Sequence, residues 1–184
     1  MRSLYGTVWS THFDGQADGS SVADSAYSQT SLPLHTDMTY HRDPPGLQIF
    51  TMIRPSIEGG ESVFADGFAI AEKCRTSDPV AFSTLSTTVR RYRCIDNETG
   101  WHLEASGPII VVQRGRVVGI RHNDLDRLPD LPPADISSES EIEAFYDKLS
   151  HAHLVWNKLL GHDEYRLVMK LNPGDTIVVA NQVS

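Results

Sequence analysis

The chain has 184 residues, of which 40% are hydrophobic and 22% are charged, as in one ordinary globular domain. These proportions exclude collagen, coiled coils and wholesale disorder, and the longest apolar runs are too short to span a bilayer. Sixteen Lys and Arg against 24 Asp and Glu give a net charge of −8. We therefore expect neither nucleic acid nor a membrane as a partner.

The two cysteines, Cys74 and Cys94, form no Cys-x-x-Cys motif and are too few to staple a domain of this size. The first nine residues contain no apolar core of signal-peptide length and no Arg-rich stretch typical of a transit peptide. We therefore expect a reducing, intracellular compartment.

The first third of the chain predicts strands separated by loops. Residues 5–9 are expected to form a strand, and residues 14–25, rich in Asp, Gly, Ser and Ala, a surface loop. The apolar and β-branched run 47–53 predicts a second strand. Gly59-Gly60 predicts a turn that leads into a short strand at 62–65.

Helices and further strands follow. Asp66 is a good cap for a helix that runs through Cys74, and Pro79 is well placed at the first position of a second helix. The tight pair Arg114-Gly115 predicts a hairpin turn. Three strands are predicted in this region, at residues 87–95, 107–113 and 116–121.

The last third predicts one long helix and two strands. Residues 128–140 are Pro-rich, acidic and serine-rich, as in a loop. Ser138 and Glu141 form a capping-box pattern, apolar residues then recur at helical spacing to Leu160, and Gly161 is placed to end the helix. Strands are predicted at 166–171 and 176–180, joined by a turn at 172–175. Seven or eight short strands with two or three helices predict a mostly β jelly roll or sandwich with helical insertions.

The sharpest local feature is the sequence His35-Thr36-Asp37. In an extended segment, residues i and i+2 point to the same face, so the imidazole and the carboxylate could meet on one metal ion. A face of two histidines and one carboxylate suits non-haem Fe(II) and leaves positions open for an organic chelator and dioxygen. Taken alone, the same pattern also fits a turn-capping aspartate beside a surface histidine.

The order of several motifs resembles one known family. In chain order these are His35-Thr-Asp37, Pro44-Pro-Gly46, Gly59-Gly-Glu-Ser62, Asp66-Gly-Phe68, Val118-Gly-Ile-Arg-His-Asn-Asp124 and Asn172-Pro-Gly-Asp175. From residue 5 to residue 181, the series resembles the γ-butyrobetaine and trimethyllysine dioxygenases, within the taurine-dioxygenase-like group. The resemblance implies a double-stranded β-helix (jelly roll). It also implies Fe(II)- and 2-oxoglutarate-dependent hydroxylation of a small trimethylammonium amino acid in carnitine biosynthesis.

The resemblance also implies a set of site residues. His35 and Asp37 match the first two iron ligands, and no further catalytic residue is expected. The substrate positions are Tyr5, Trp9, Tyr27, Met38 and Asn123, and the 2-oxoglutarate positions are Asp24 and Phe50. Aromatic faces hold a quaternary ammonium by cation–π attraction, since this group cannot donate a hydrogen bond. The alternative for Tyr5 and Trp9 is that they are ordinary strand aromatics in a core.

Two positions depart from the family pattern. Met38 stands where the butyrobetaine enzymes carry a tyrosine, and a thioether packs against methyl groups without a strong quadrupole. The trimethyllysine enzymes also lack that tyrosine, so they fit at least as well. Asp124 replaces a second asparagine, which would change polar contacts with a substrate.

The end of the family pattern is the largest departure. The third iron ligand, a histidine, and the arginine that binds 2-oxoglutarate are expected beyond Ser184, and the family's N-terminal zinc-binding domain has no counterpart. We therefore expect residues 1–184 to form one partial dioxygenase domain, a jelly roll incomplete at its C-terminus, with weak or no activity. None of the other histidines is predicted to be the third ligand, and His153 is expected to be a core histidine of the long helix.

Several alternatives stay open at this point. The chain could be a related dioxygenase that acts on another small carboxylate, a non-catalytic truncated isoform that pairs with full-length subunits, or a metal-free jelly-roll binding module. The resemblance implies a small-molecule substrate and a cytoplasmic or mitochondrial location, and it leaves a homo-oligomer open.

Overall fold

The structure, a computed structural model, describes residues 32–97 and 100–183. Its strands are β1 (Gln48–Thr51), β2 (Ser62–Ala65), β3 (Arg90–Asp96), β4 (Trp101–Gly107), β5 (Ile110–Gln113), β6 (Arg116–Ile120), β7 (Arg166–Met169) and β8 (Thr176–Val179). Its α-helices are α1 (Gly67–Ser77), α2 (Pro79–Thr87) and α3 (Glu139–Leu160), and a 3-10 turn spans Asp163–Tyr165. This part of the chain is therefore a mixture of helix and strand, which corrects the expectation of a mostly β protein.

The described strands form four antiparallel pairs, β1 with β8, β2 with β7, β3 with β4, and β5 with β6. The last two pairs join neighbouring strands. The first two join strands more than 100 residues apart, with Ile49 opposite Val178 and Val63 opposite Val168. These two long-range pairs bring the ends of the described chain together.

The core lies between the helices and the β5–β6 hairpin. Its largest fully buried members include Trp156 of α3, Ile70 of α1, Leu85 of α2 and Ile110 of β5. Burial of each such side chain contributes about 1.5–3 kcal/mol relative to leaving it in water. The helices thus supply much of the apolar surface that the short strands lack.

The predicted helix starts are confirmed. Asp66 accepts a hydrogen bond from the backbone N–H of Ala69 at 2.9 Å, and Asp78, directly before Pro79, caps α2 in the same way. Ser138 and Glu141 form the capping box. Gly161 is the C-cap of α3, but its φ of −78° is ordinary helical backbone rather than the left-handed conformation that favours glycine.

The strand boundaries need two corrections around β3 and β5. Thr87 is the last residue of α2, so the strand predicted from residue 87 begins at Arg90. The strand predicted at 107–113 begins at Ile110, because Gly107 ends a separate strand, β4, that the sequence did not predict. The sequence of β4 has weak strand propensity, and the strand forms because all seven of its residues pair with β3.

The predicted hairpin turn between β5 and β6 is confirmed. Arg114 and Gly115 both have positive φ, at 50° and 77°, as a two-residue type I′ turn requires.

Gly67 fixes the segment after β8 against the start of α1. Its N–H donates to the carbonyl of Val183 at 2.7 Å. A Cβ at this position would lie 2.5 Å from that carbonyl oxygen and 2.9 Å from the Ile120 side chain. Only glycine allows an approach this close, so the residue is part of the packing between α1, β6 and residues 181–183.

A buried ion cluster holds the loop that follows residue 123. The guanidinium of Arg90, only 3% exposed, donates to both carboxylate oxygens of Asp130 at 3.1 Å and to Asp124 at 3.3 Å. It also contacts the ring nitrogens of His153, so this half-buried histidine of α3 belongs to the ion cluster rather than to the apolar core that the sequence predicted. Burial, reinforced by the positive charge of Arg90, lowers the pKa of His153 to about 4.

We predict that Gly67→Ala lowers the free energy of unfolding by about 1–3 kcal/mol, because the added methyl group collides with a backbone carbonyl. Gly46→Ala is the matched control, since a Cβ there meets no atom within 4 Å. Urea unfolding measures both variants. Equal stability of the two would contradict the close packing of residues 181–183 on α1.

We also predict that His153→Gln makes the stability of the fold depend less on pH in the acidic range. The folded pKa of about 4 lies below the ordinary value of 6.5, so the unfolded chain binds protons first as the pH falls. The part of the folding stability that depends on neutral His153 is therefore fully present above about pH 6.5 and is lost as the pH falls towards about 4. The charged groups that face the ring are Arg90, Arg127, Asp124 and Asp130.

Thermal unfolding between pH 7 and pH 4 measures this dependence. The glutamine variant should lose less melting temperature over this range than the parent, whereas His162→Gln, at an exposed histidine, should behave like the parent. A parent-like slope in His153→Gln would show that the histidine is not buried in its neutral form.

Candidate metal-binding site

His35 and Asp37 come together in the structure. The Nε2 atom of His35 lies 3.2 Å from Oδ1 of Asp37, and the two side chains are 28% and 35% exposed. The Nδ1–H of His35 donates to the carbonyl of Pro33 at 2.8 Å, so Nε2 is the nitrogen that faces the carboxylate. The hydrogen bond with Asp37 is the main cause that raises the pKa of His35, and burial opposes it.

This arrangement fits a metal ion. Ligand bonds of about 2.1 Å at right angles place the two donor atoms about 3 Å apart, close to the observed 3.2 Å. A metal-bound histidine commonly donates its other ring N–H to a carbonyl, as His35 does to Pro33. Among the described residues, no third His, Cys, Asp or Glu joins the pair to complete a metal cluster.

The segment that carries these residues is bound to the chain that follows β6. The N–H of Thr36 donates to the carbonyl of His122 at 2.7 Å, and the N–H of His122 donates to Oγ1 of Thr36 at 3.0 Å. The guanidinium of Arg121 donates to the carbonyls of Thr39, His41 and Arg42 at 2.9–3.0 Å. Sequence reasoning gave Arg121 no role, although it lies within one of the quoted motifs.

Met38, predicted on the substrate side, follows Asp37 in the turn 37–40. Its φ of 57° is left-handed, a conformation that costs a non-glycine residue about 1–3 kcal/mol. Its carbonyl accepts the N–H of His41 at 3.0 Å. The surrounding hydrogen bonds therefore hold a strained turn directly beside the carboxylate, while the contact of Met38 with a substrate stays a prediction.

Asn123 is buried close to the same turn. Its Oδ1 accepts the N–H of Leu125 and its Nδ2 donates to Asp126, both at 2.9 Å. The same Asp126 oxygen accepts the hydroxyl of Thr39 at 2.9 Å and thereby connects Asn123 to the turn. Asn123 is 8% exposed, and one N–H of its amide has no partner among the described residues. Its contact with a substrate stays a prediction.

A cavity borders His35 on the side of the helical core. It is lined by His35, His122, Trp156 and apolar side chains that include Leu34, Ile120 and Leu160. The Nδ1 atom of His122 and the Nε1 atom of Trp156 are buried there with no hydrogen-bond partner among the described residues. Burial is the main cause that lowers the pKa of His122 to about 4. The ring is therefore neutral at pH 7.

The other predicted site residues divide into two groups. Phe50 lies on β1 opposite Ile177 and is 37% exposed, and its role toward 2-oxoglutarate stays a prediction. Four residues lie outside the described residues, namely Tyr5, Trp9, Asp24 and Tyr27.

Three further described histidines have other surroundings. His151 pairs with Asp78 at 2.7 Å, His102 is exposed on β4, and His162 accepts a hydrogen bond from the N–H of Glu164.

In the described part of the chain, no helix is both long enough and apolar enough to cross a membrane.

Solved structures share this fold. A taurine dioxygenase from Burkholderia xenovorans, described as α-ketoglutarate-dependent, superposes with a TM-score of 0.58 at 18% identity and covers 81% of this chain and 49% of its own. The PvcB protein from Pseudomonas aeruginosa superposes with a TM-score of 0.61 at 15% identity and covers 100% of this chain and 58% of its own.

Curated relatives are similar in sequence over most of the chain. The mitochondrial trimethyllysine dioxygenase of Gallus gallus is 29% identical over 97% of this chain and 41% of its own length. The γ-butyrobetaine dioxygenase of Homo sapiens is 28% identical over 97% and 43%, and that of Pseudomonas sp. (strain AK-1) is 34% identical over 69% and 32%. The chain thus spans less than half the length of these relatives.

The family model described as taurine catabolism dioxygenase TauD, TfdA family, matches residues 1–183. This match spans the paired His35 and Asp37, and the resemblance drawn from the ordered motifs is confirmed. The chain therefore belongs to the TauD/TfdA family of dioxygenases.

Proposed function

We propose that this chain is the core of an Fe(II)- and 2-oxoglutarate-dependent dioxygenase that hydroxylates a small trimethylammonium amino acid. The observation that carries the proposal is the His35–Asp37 pair, with Nε2 and Oδ1 3.2 Å apart and Nδ1 already bonded to Pro33. The trimethyllysine and γ-butyrobetaine dioxygenases among the relatives support the substrate class.

His35 and Asp37 would hold the iron ion through Nε2 and Oδ1. When bound, iron and 2-oxoglutarate supply the oxidising chemistry that hydroxylates an unactivated C–H bond. The residues of this chain orient the reactants and keep the site ordered. The Pro33 carbonyl fixes the plane of the His35 ring, and the Asp37 carboxylate adds a negative charge that favours a cation. The proposal requires no protein acid or base.

The proposed substrate pocket combines aromatic and polar groups. Tyr5, Trp9 and Tyr27 would face the trimethylammonium group, with Met38 against its methyl groups. Asn123 would contact a polar group of the substrate through the amide N–H that has no partner among the described residues. Because Met38 replaces a tyrosine of the butyrobetaine enzymes, trimethyllysine fits the proposed pocket at least as well as γ-butyrobetaine.

The proposal extends to the fold and the location. The long-range antiparallel pairs β1–β8 and β2–β7 support a double-stranded β-helix, as expected of the family. A cytoplasmic or mitochondrial location is proposed, since several relatives are described as mitochondrial.

A second candidate is a non-catalytic partner of complete subunits. The described residues bring two donor side chains together rather than three, and this observation favours weak metal binding. Co-purification with a complete homologous subunit, together with a change in that subunit's turnover, would support this second role.

We predict that an anaerobic titration with Fe(II) and 2-oxoglutarate produces the visible metal-to-keto-acid charge-transfer band, and that His35→Ala abolishes it. The matched control is His162→Ala, because this exposed histidine lies outside the pair. A band of equal intensity in His35→Ala, or no band in folded parent protein, would contradict the proposed metal site.

We further predict that Met38→Tyr strengthens the binding of both γ-butyrobetaine and trimethyllysine by about 2–5-fold, since both carry a trimethylammonium group and a cation–π contact at an exposed site is worth about 0.5–1 kcal/mol. Met38→Leu is the control, because it keeps an apolar side chain without a ring. Calorimetric titration of the iron- and 2-oxoglutarate-loaded protein measures both ligands. Unchanged affinity for both ligands would place Met38 away from the ammonium group.

A further inference from the structure

Asn181, two residues after the end of β8, makes an unusual set of contacts with Asp37. Its Oδ1 accepts the backbone N–H of Asp37 at 2.7 Å. Its Nδ2 donates to the carbonyl of the same Asp37 at 3.1 Å and to the carbonyl of Pro45 at 2.9 Å. The side chain is 3% exposed, so water contributes little to any of these groups. One buried amide therefore holds both backbone polar groups of Asp37.

Asparagine is well suited to this position. A residue in a turn has no strand partner for its N–H and C=O, so another group must satisfy them. The Asn side chain carries an acceptor and two donors on one planar group, whereas Asp has no donor and Ser has one. With both backbone groups of Asp37 bonded to one rigid amide, rotation of the residue about its φ and ψ angles is restricted.

The segment that carries Asn181 is itself fixed. The N–H of Asn181 donates to the carbonyl of Gly46 at 3.1 Å. The next two carbonyls, of Gln182 and Val183, accept the N–H groups of Ile120 and Gly67 at 2.8 and 2.7 Å. Hydrogen bonds therefore connect the segment that carries Asn181 to β6 and to the start of α1, which belong to the packed core.

From these contacts, we propose that Asn181 is a positioning residue that holds the Asp37 carboxylate in the orientation needed to bind the metal ion. The inference rests on the proposed function, because it assigns Asn181 a role toward the ion that His35 and Asp37 would hold. Asn181 would act through the backbone of Asp37 and not as a ligand of the metal ion.

A purely structural role makes a different prediction from a positioning role. The side-chain amide of Gln182, the next residue, donates a hydrogen bond to the loop that follows the turn of Asp37, namely to the carbonyl of Pro44 at 3.1 Å. Gln182→Ala therefore removes a comparable contact from the same loop without touching Asp37. If Asn181 only stabilises the loop, its variants and Gln182→Ala should affect metal binding alike.

The test uses the full chain and Co(II), an air-stable probe for an Fe(II) site, followed by its visible spectrum. We expect Asn181→Asp, which keeps the volume but loses both donors, to bind Co(II) at least tenfold more weakly than the parent. We expect Gln182→Ala to change the affinity less than threefold. Circular dichroism confirms that each variant is folded. A folded Asn181→Asp that binds Co(II) as tightly as Gln182→Ala would overturn the inference.

Hydrogen exchange of the Asp37 amide, measured by NMR in the metal-free protein, gives a second readout. We expect this amide to exchange at least tenfold faster in Asn181→Ala than in the parent, and at an unchanged rate in Gln182→Ala. If the parent binds no Co(II), the proposed function fails, and the exchange rate alone decides whether Asn181 holds Asp37. Unchanged exchange in folded Asn181→Ala would overturn the inference even if the parent binds the metal.

Discussion

The candidate site depends on one constraint, that the turn carrying Asp37 satisfies only part of its backbone hydrogen bonds by itself. Distant side chains provide the partners, namely the guanidinium of Arg121 for three carbonyls and the amide of Asn181 for both polar groups of Asp37. Each such hydrogen bond contributes about 0.5–1.5 kcal/mol net, and an unsatisfied buried group costs about 1–3 kcal/mol. These hydrogen bonds offset the cost of the left-handed backbone at Met38.

The rest of the structure places those partners. Arg121 follows β6 and Asn181 follows β8, and both segments meet at the start of α1, where Gly67 allows the carbonyl of Val183 to approach closely. Behind them, the helices pack around Trp156 and form the core that the two-stranded sheets could not provide alone. The core therefore positions Asp37 through the hydrogen bonds of two short segments rather than through direct contact.

Local features were predictable from sequence, whereas long-range ones were not. The caps at Asp66 and Ser138 and the turn at Arg114-Gly115 depend on residues within a few positions of one another. Strand β4 was missed because its pairing with β3 outweighs its own weak propensity. His35 and Asp37 stand two residues apart and could be found by their spacing. The contact between Asn181 and Asp37 spans 144 positions, and the sequence analysis did not predict it.

The central claim is that His35 and Asp37 share one metal ion on a turn that the protein holds in advance. A crystal structure of the chain grown anaerobically with Mn(II), with anomalous scattering to locate the ion, tests this claim most directly. The account predicts a manganese peak about 2.1 Å from both His35 Nε2 and Asp37 Oδ1, with the Asn181 contacts to Asp37 unchanged. A manganese ion bound elsewhere, or His35 and Asp37 still hydrogen-bonded to each other with no ion between them, would contradict it.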